Sequence, residues 1–332
     1  MRSLRNIFTV IILSFVFGNV FSQQVPMYSQ YIMNGFLINP SLAGNDGYTT
    51  INITARKQWV GMAGAPSTYA ASFQTRILKD SYILKSTSVR KKIVKPTKGG
   101  KVGIGGYVFN DNNGIMKRTG VQLAYAYHIS LGQSYQSSSS LSFGLALSAY
   151  QFSINTYGLI YNPDDPLLNT LDKSIFIPDF TFGTSFTTSR YYIGFAMSNL
   201  LRGSLLIADT SSTGRNELGH YFLTGGIKFP LAADWIFEPS VLFKSSDMFF
   251  KSFQADITSR IYFKNDYWAG VSWRTNDAVI MMVGLKYDHL YFAYAFDLTL
   301  NDIRLETYGS HEITLAFKFG ENARRYRWLN AY

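Results

Sequence analysis

The sequence predicts an all-β fold, a transmembrane β-barrel of the outer-membrane type with about 14 antiparallel strands. Three observations carry this prediction. Apolar and polar residues alternate with a period of two after residue 48, as in strands with two different faces. Aromatic and charged residues each make up 16% of the 332 residues, and the charged share lies well below the roughly 25% of soluble domains. The mean hydropathy is zero, too low for a bundle of membrane-spanning helices.

The composition of the two faces distinguishes a membrane barrel from a soluble sandwich. Near the end of the chain, Phe292, Tyr294 and Phe296 share one face, whereas Ala293 and Ala295 lie on the other. Other segments repeat this division, with aliphatic and aromatic residues opposite Gly, Ala, Ser and Thr and occasional charges. A barrel that is apolar toward lipid and small or polar toward its lumen has this pattern.

The alternation divides the chain into strands of about 10 to 13 residues, long enough to cross a bilayer obliquely. The predicted strands are 48–59, 66–76, 101–110, 118–130, 139–151, 178–188, 190–198, 219–229, 233–244, 250–263, 266–275, 278–287, 289–299 and 309–319. An even number brings both ends of the barrel to the periplasmic side. Short connections then lie on that side, at 188–190, 230–233, 264–265 and 288, and mostly longer ones face outward, at 111–117, 152–177, 199–218 and 300–308.

One predicted periplasmic connection, residues 77–100, is long and strongly basic. It includes Arg90, Lys91, Lys92 and Lys95. The formal net charge of the whole chain is +10, and it falls to +8 when Arg2 and Arg5 are removed with the predicted signal. The stretch from Arg76 to Lys101 has nine basic residues and one acidic residue, and it accounts for this +8. Two interpretations stay open: a solvated charge run, or a docking surface for an acidic partner or anionic headgroups.

The start of the chain resembles a secretory signal that directs the protein to the bacterial outer membrane. Arg2 and Arg5 precede the apolar stretch Ile7 to Phe17, and we expect cleavage after Ser22. An uncleaved anchor helix is the alternative, but this stretch is short for a span of about 30 Å. The predicted regions are therefore a signal peptide at 1–22, an N-terminal periplasmic or plug segment at 23–47, the barrel at 48–319 and a tail at 320–332.

The two segments that flank the barrel have different expected roles. Residues 23–47 contain Pro26 and Pro40 and show no sustained alternation, so we expect an irregular cap or plug that occludes the lumen. The basic, aromatic tail contains Arg324, Arg325 and Trp328. We expect it to bind a partner or to act as a second assembly signal.

The sequence offers no recognisable catalytic, cofactor or metal site. There is no cysteine, which excludes disulfides and thiolate metal sites. The motifs G-x-S-x-G, Walker A and H-E-x-x-H do not occur. The four histidines, His128, His220, His289 and His311, are scattered without metal spacing. We expect no enzymatic activity, and the positive charge lacks a nucleic-acid-binding fold.

Two motifs carry a resemblance to a known family. The first reads YSQYIMNGFLINPSLAG and the second RKQWVGMAGAPSTY, and the later stretches GIGGYVFNDNNG, IGFAMSNL, EPSVLFK and GSHEI extend the likeness over nearly the whole mature chain. In these motifs the sequence resembles the PorP/SprF outer-membrane proteins of the Bacteroidetes. Resemblance implies a barrel of the type IX secretion and gliding-motility apparatus that supports export or surface attachment of a cargo adhesin. Its implied partners are outer-membrane lipid, machinery subunits or the C-terminal domain of a cargo.

The residues of these motifs allow a physical interpretation. They are Asn39, Pro40, Gly44, Arg56, Gln58, Trp59, Gly64, Pro66, His311 and Glu312. Gly61, Gly64 and Pro66 fit a hairpin turn. An arginine that points into a lumen needs a partner, and Asp256, Asp297 and Glu312 are the candidates for Arg56. His311 and Glu312 are adjacent in a strand and should point to opposite faces.

Three classes of function remain to be compared: a secretion or motility component that acts through protein contacts, an outer-membrane channel or FadL-like transporter, and a barrel enzyme. Gly, Ala and Ser dominate the predicted luminal face, and we expect it to lack a dense ring of opposed charges. This favours the first class over an open channel.

Overall fold

The computed structural model describes residues 28–77, 101–134, 137–154, 175–201, 219–246 and 253–319. Most of these residues, 72%, lie in β-strands. The strands are β1 (Thr49–Lys57), β2 (Ser67–Ile77), β3 (Val102–Asn113), β4 (Met116–Ser134), β5 (Ser137–Ile154), β6 (Ile175–Thr188), β7 (Tyr191–Ser198), β8 (His220–Ile227), β9 (Phe229–Ala232), β10 (Trp235–Ser245), β11 (Phe253–Phe263), β12 (Tyr267–Arg274), β13 (Ala278–Tyr287), β14 (Leu290–Thr299) and β15 (Ser310–Phe319). Among these residues no helix is long and apolar enough to cross a membrane.

The strands form one closed antiparallel barrel. Neighbours in the chain pair in sequence, β1 pairs with β15, and β10 pairs with both β8 and β11. The four-residue strand β9 continues β8 along the same edge of β10, so the wall has fourteen strands. The prediction of a barrel with about 14 strands is confirmed.

Burial along the strands is reversed relative to a soluble protein. Outward-facing Leu123 and Val108 are 64% and 54% exposed, whereas inward-facing Gln122, His128 and Asn52 are buried. A surface of this kind is stable only against lipid. The face assignment predicted from the alternation is confirmed.

The two ends of the barrel differ in their connections. At one end, called the terminal end, β1 begins, β15 ends and the described turns after β6, β9, β11 and β13 are short. Lys264 and Asn265 both have positive φ, 53° and 59°, as at the two central positions of a type I′ turn. The opposite end, called the loop end, carries the turn from Gln58 to Pro66 and the stretch 300–309. The predicted basic connection lies outside the described residues.

Residues 28–47 run through the interior of the barrel as an irregular segment, called the inner segment. It contains two short 3-10 turns, Gly35–Leu37 and Pro40–Leu42. Phe36 is 1% exposed and packs with Ala43 and the inward-facing Ala124, Ala126 and Ala146. A small apolar core therefore forms between the segment and the wall.

We expect the outward face to tolerate charge only near the barrel ends. Ile53 lies in the middle of β1, and Ile53→Arg should lower the free energy of unfolding by about 2–4 kcal/mol, because a cation at mid-bilayer is poorly solvated. Tyr287→Arg at the terminal end should cost about 0–1 kcal/mol. Urea titration in lipid vesicles measures both, and equal costs would contradict the lipid-facing assignment.

Candidate functional site

An ion-pair cluster surrounds Arg56 inside the barrel, toward the loop end. The register between β1 and β15 places Arg56 beside Glu312. Its guanidinium lies 3.1 Å from Glu312 Oε2 and 2.7 Å from Asp297 Oδ2. All three side chains are almost fully buried. Two of the three candidate partners predicted for Arg56 are therefore its partners.

The inner segment binds this cluster through its backbone. The amides of Ser29 and Gln30 donate to the two carboxylate oxygens of Glu312, at 2.7 and 2.9 Å. Gln30 Nε2 also donates to the backbone carbonyl of Glu312 at 3.0 Å, and Ser29 Oγ donates to Asp297 at 2.7 Å. One carboxylate thus neutralises an arginine and holds two consecutive amides, a charge-assisted arrangement.

Asp256, the third candidate, pairs with different cations. Arg274 contacts both of its oxygens, at 3.0 and 3.2 Å, and Lys244 lies 3.1 Å away. Arg274 also approaches Asp297 at 3.6 Å. This contact joins the Arg274 group to the Arg56 cluster.

A further buried pair lies nearer the terminal end. Arg260 donates to Glu238 at 2.6 Å, and its guanidinium lies over the rings of Tyr262 and Trp268. The hydroxyl of Tyr192 donates to the same carboxylate at 3.3 Å. Removing one partner of such a pair leaves a buried charge uncompensated, at a cost of about 3–5 kcal/mol.

The charges correct one expectation from the sequence. We expected a luminal face of small residues without opposed charges, but the wall from β10 to β15 and β1 carries three buried cations and the half-buried Lys244 against four buried carboxylates. They are Arg56, Lys244, Arg260, Arg274, Glu238, Asp256, Asp297 and Glu312. These residues lie far apart in the sequence, and only the register shows that each cation meets a carboxylate.

The Asn-Pro motif holds the middle of the inner segment against the opposite wall. Asn39 Oδ1 accepts from the backbone amide and the hydroxyl of Ser41, at 3.0 and 2.7 Å. Its Nδ2 donates to the backbone carbonyls of Thr184 and Phe195, at 3.1 and 3.3 Å. Pro40 begins the second 3-10 turn, where its fixed φ and missing amide are favourable.

Glycines on the inward face make room for this contact. A Cβ at Gly144 would overlap the backbone nitrogen of Ser41, and one at Gly183 would overlap Asn39 Oδ1. A Cβ at Gly103 would overlap the carbonyl oxygen of Ala43. These glycines, of which Gly103 belongs to the GIGG motif, therefore allow the inner segment to approach the strands closely.

Gly44 turns the segment toward β1. It has a φ of 64°, its amide donates to Gln74 Oε1 at 3.1 Å, and a Cβ would lie 2.6 Å from the carbonyl of Thr75. His128 contacts the carbonyl of Ala43 at 2.9 Å through Nε2. Both the positive φ and the short distance require glycine at this position.

The QWVG..GAP motif forms the first turn at the loop end. Gly61 and Gly64 have φ values of 106° and 70°, which matches the predicted hairpin. The amide of Gln58 donates to the carbonyl of Pro66 at 2.9 Å, and that of Trp59 donates to Ser310 Oγ at 3.1 Å. The motif thus closes the β1–β2 hairpin and fastens it to β15.

The remaining predicted residues fall into two groups. His311 faces outward, where Nδ1 lies 2.7 Å from the hydroxyl of Tyr294, while Glu312 faces inward, as expected for neighbours in a strand. Arg90, Lys91, Lys92, Lys95, Arg324, Arg325 and Trp328 lie outside the described residues. Sequence reasoning gave no role to Ser29 and Gln30, because their backbone amides and side chains bind residues that lie far away in the sequence.

We expect Glu312→Gln to loosen the inner segment. The amide side chain cannot accept from both Ser29 and Gln30, and it leaves Arg56 with less compensation. Because the chain has no cysteine, a single Met33→Cys probe can be labelled with a maleimide in the folded barrel. The labelling rate should rise at least tenfold, which corresponds to a loss of about 1.4 kcal/mol in the free energy that holds the segment in place. His311→Gln on the same strand is the control, and an unchanged rate in Glu312→Gln would contradict the role of the carboxylate.

Solved structures with similar strand arrangements are distant. The toluene transporter TbuX of Ralstonia pickettii is 10% identical, with 87% of this chain and 92% of that chain covered and a TM-score of 0.40. A mutant porin of Rh. blastica is 9% identical, with 82% and 99% covered and a TM-score of 0.34. CdiB of Acinetobacter baumannii is 7% identical, with 82% and 60% covered and a TM-score of 0.38. These likenesses carry no argument about function.

A search of curated proteins gave no match. The family comparison is specific, and it agrees with the fold and with the two motifs that line the interior and close the first hairpin. Residues 20–317 match the family described as type IX secretion system membrane protein PorP/SprF. The matched region includes the inner segment, its binding cluster and almost the entire barrel wall, and the chain therefore belongs to the PorP/SprF family of type IX secretion system membrane proteins.

Proposed function

We propose that this protein is a non-enzymatic outer-membrane component of type IX secretion and gliding motility. It supports export or surface attachment of a cargo adhesin through protein contacts. The observation that carries the proposal is that the inner segment occupies the lumen and is bonded to opposite walls through Glu312 and Asn39. A barrel filled by its own chain is suited to binding partners rather than to passing solutes.

The proposed orientation follows from the connections. The terminal end, with its tight turns, faces the periplasm, and the loop end faces the cell surface. The signal peptide is removed near Ser22, so a short stretch precedes the inner segment in the mature protein.

The inner segment divides the space that remains in the lumen. A cavity of about 330 Å³ lies toward the loop end, lined by Tyr28, Arg118 and His220 among others. A smaller one of about 90 Å³ lies toward the terminal end, lined by Phe36 and Lys318 among others. We propose that residues 23–47 act as a plug between the two.

A channel or FadL-like transporter is the alternative function, and conductance separates it from a plugged barrel. We expect the intact protein to give no large, steady current in planar bilayers. Deletion of residues 28–44 should open the lumen and produce steady currents, because the wall closes without the segment through the β1–β15 and β10–β11 pairings. Large steady currents from the intact protein would instead favour the transporter.

The proposed partner surface is the terminal end with the basic connection and the C-terminal tail. We expect Arg90→Glu, Lys91→Glu and Lys92→Glu together to remove an acidic periplasmic partner, because charge reversal replaces attraction by repulsion. Affinity purification from native envelopes identifies the partner set. The matched control reverses Arg190 and Lys264, two exposed cations in turns at the same end. An unchanged partner set in the triple variant would defeat the docking role.

A further inference from the structure

The outward face of the barrel carries a row of cations and polar groups near the loop end. The register aligns His311, Lys57, Ser67, Asn112, Lys117 and Ser153 on six neighbouring strands, β15 and β1 to β5. Lys57 and Lys117 are exposed. Both lysines lie on the same outward face as the apolar residues Ile53, Val108 and Val121, which contact lipid.

Within this row, Lys57 lies at the depth of the lipid headgroups. Lys57 is four residues beyond Ile53 at the middle of β1, a vertical distance of roughly 10 Å for a tilted strand. The apolar band of such barrels is about 25 Å tall, so its edge lies about 12 Å from the middle. A lysine side chain that starts there reaches the headgroup phosphates.

The opposite side of the barrel has no such row among the described residues. At the corresponding end of β11, β12 and β14, the outward positions are Ile257, Trp273 and Leu298, which are 47%, 49% and 48% exposed. The polar sector is therefore local. It also contains no Asp or Glu on the outward face of β15 and β1 to β5 within the described chain, so its charge is uncompensated by the wall.

Spacing and chemistry identify the ligand class. Lys57 and Lys117 are three strand spacings apart, about 14 Å, and the hydroxyl of Ser67 and the amide of Asn112 lie between them. Asn110 and Thr119 add a hydrogen-bonded polar pair one step deeper on the same face. Two cations separated by hydrogen-bonding groups match a headgroup with two phosphates on a hydroxyl-rich sugar better than a headgroup with one phosphate.

We infer that this sector binds a bisphosphorylated glycolipid of the lipid A type in the outer leaflet, with Lys57 and Lys117 each contacting one phosphate. The inference rests on the proposed orientation, in which the loop end faces the cell surface. The neighbouring connection 300–309 contributes Asp302, Arg304 and Glu306, a net charge of −1, so the attraction comes from the two lysines.

The test uses the full-length protein in detergent and measures lipid binding by native mass spectrometry. We expect bisphosphoryl lipid A to bind more tightly than monophosphoryl lipid A, and phosphatidylglycerol to bind weakest. Lys57→Ala and Lys117→Ala should each lower the affinity about fivefold and together about 25-fold, as expected for about 1 kcal/mol per cation at an anionic surface. Heat-dependent migration on gels checks that the variants are folded.

The control variant replaces Arg190 and Lys264, exposed cations at the terminal end, and should bind lipid A like the unchanged protein. The inference would be overturned if the double lysine variant bound lipid A as tightly as the unchanged protein does. It would also be overturned if the unchanged protein bound phosphatidylglycerol and lipid A equally. Surface labelling of a cysteine placed in 300–309 on intact cells tests the orientation separately. If this cysteine is not labelled on intact cells, the proposed orientation is refuted, even if the protein binds lipid A in detergent.

Discussion

The contact between Glu312 and the inner segment is the interaction on which the interior of this barrel depends. The carboxylate is buried with Arg56, and two consecutive backbone amides, from Ser29 and Gln30, complete its hydrogen bonding. In an apolar membrane environment, a buried charge is stable only when it is paired and hydrogen-bonded. The segment therefore completes the hydrogen bonding of a charge that the wall buries.

The two sides of the interior hold the segment by different means. On β14, β15 and β1 the contact is electrostatic and involves long side chains. On β3 to β7 it is steric, because glycines such as Gly144 and Gly183 let the backbone and Asn39 approach the strands directly. Ion pairs and hydrogen bonds hold one edge of the segment, and close packing holds the other. A shift of the segment would therefore break contacts on both sides.

Sequence reasoning succeeded where the physical signal is local. The period of two identified all fourteen wall strands and both faces, because adjacent residues in a strand point in opposite directions. It separated His311 from Glu312 for the same reason. Gly61 and Gly64 were recognisable as turn residues because a positive φ strongly favours glycine at a tight turn.

The interior could be predicted only in part because its contacts are long-range. The need of Arg56 for a carboxylate was clear, but the choice of Asp297 and Glu312 over Asp256 depends on the register between β14, β15 and β1. Ser29 contributes a backbone amide, which every residue except proline carries, and a hydroxyl whose partners Asp297 and Arg56 lie far away in the sequence, so no local pattern marks it. The abundance of small residues also hid the paired charges, which are few but concentrated on one side.

The pairing of Arg56 with Glu312 crosses the seam between the first and the last strand of the barrel. Arg56 is made early in synthesis and Glu312 near its end, and Asp297 belongs to the strand before it. Until β15 joins β1, Arg56 has neither carboxylate and the amides of Ser29 and Gln30 have no acceptor at this site. Seating of the inner segment is thus coupled to closure of the wall, and the earliest part of the mature chain reaches its final place only after the last strand is in position.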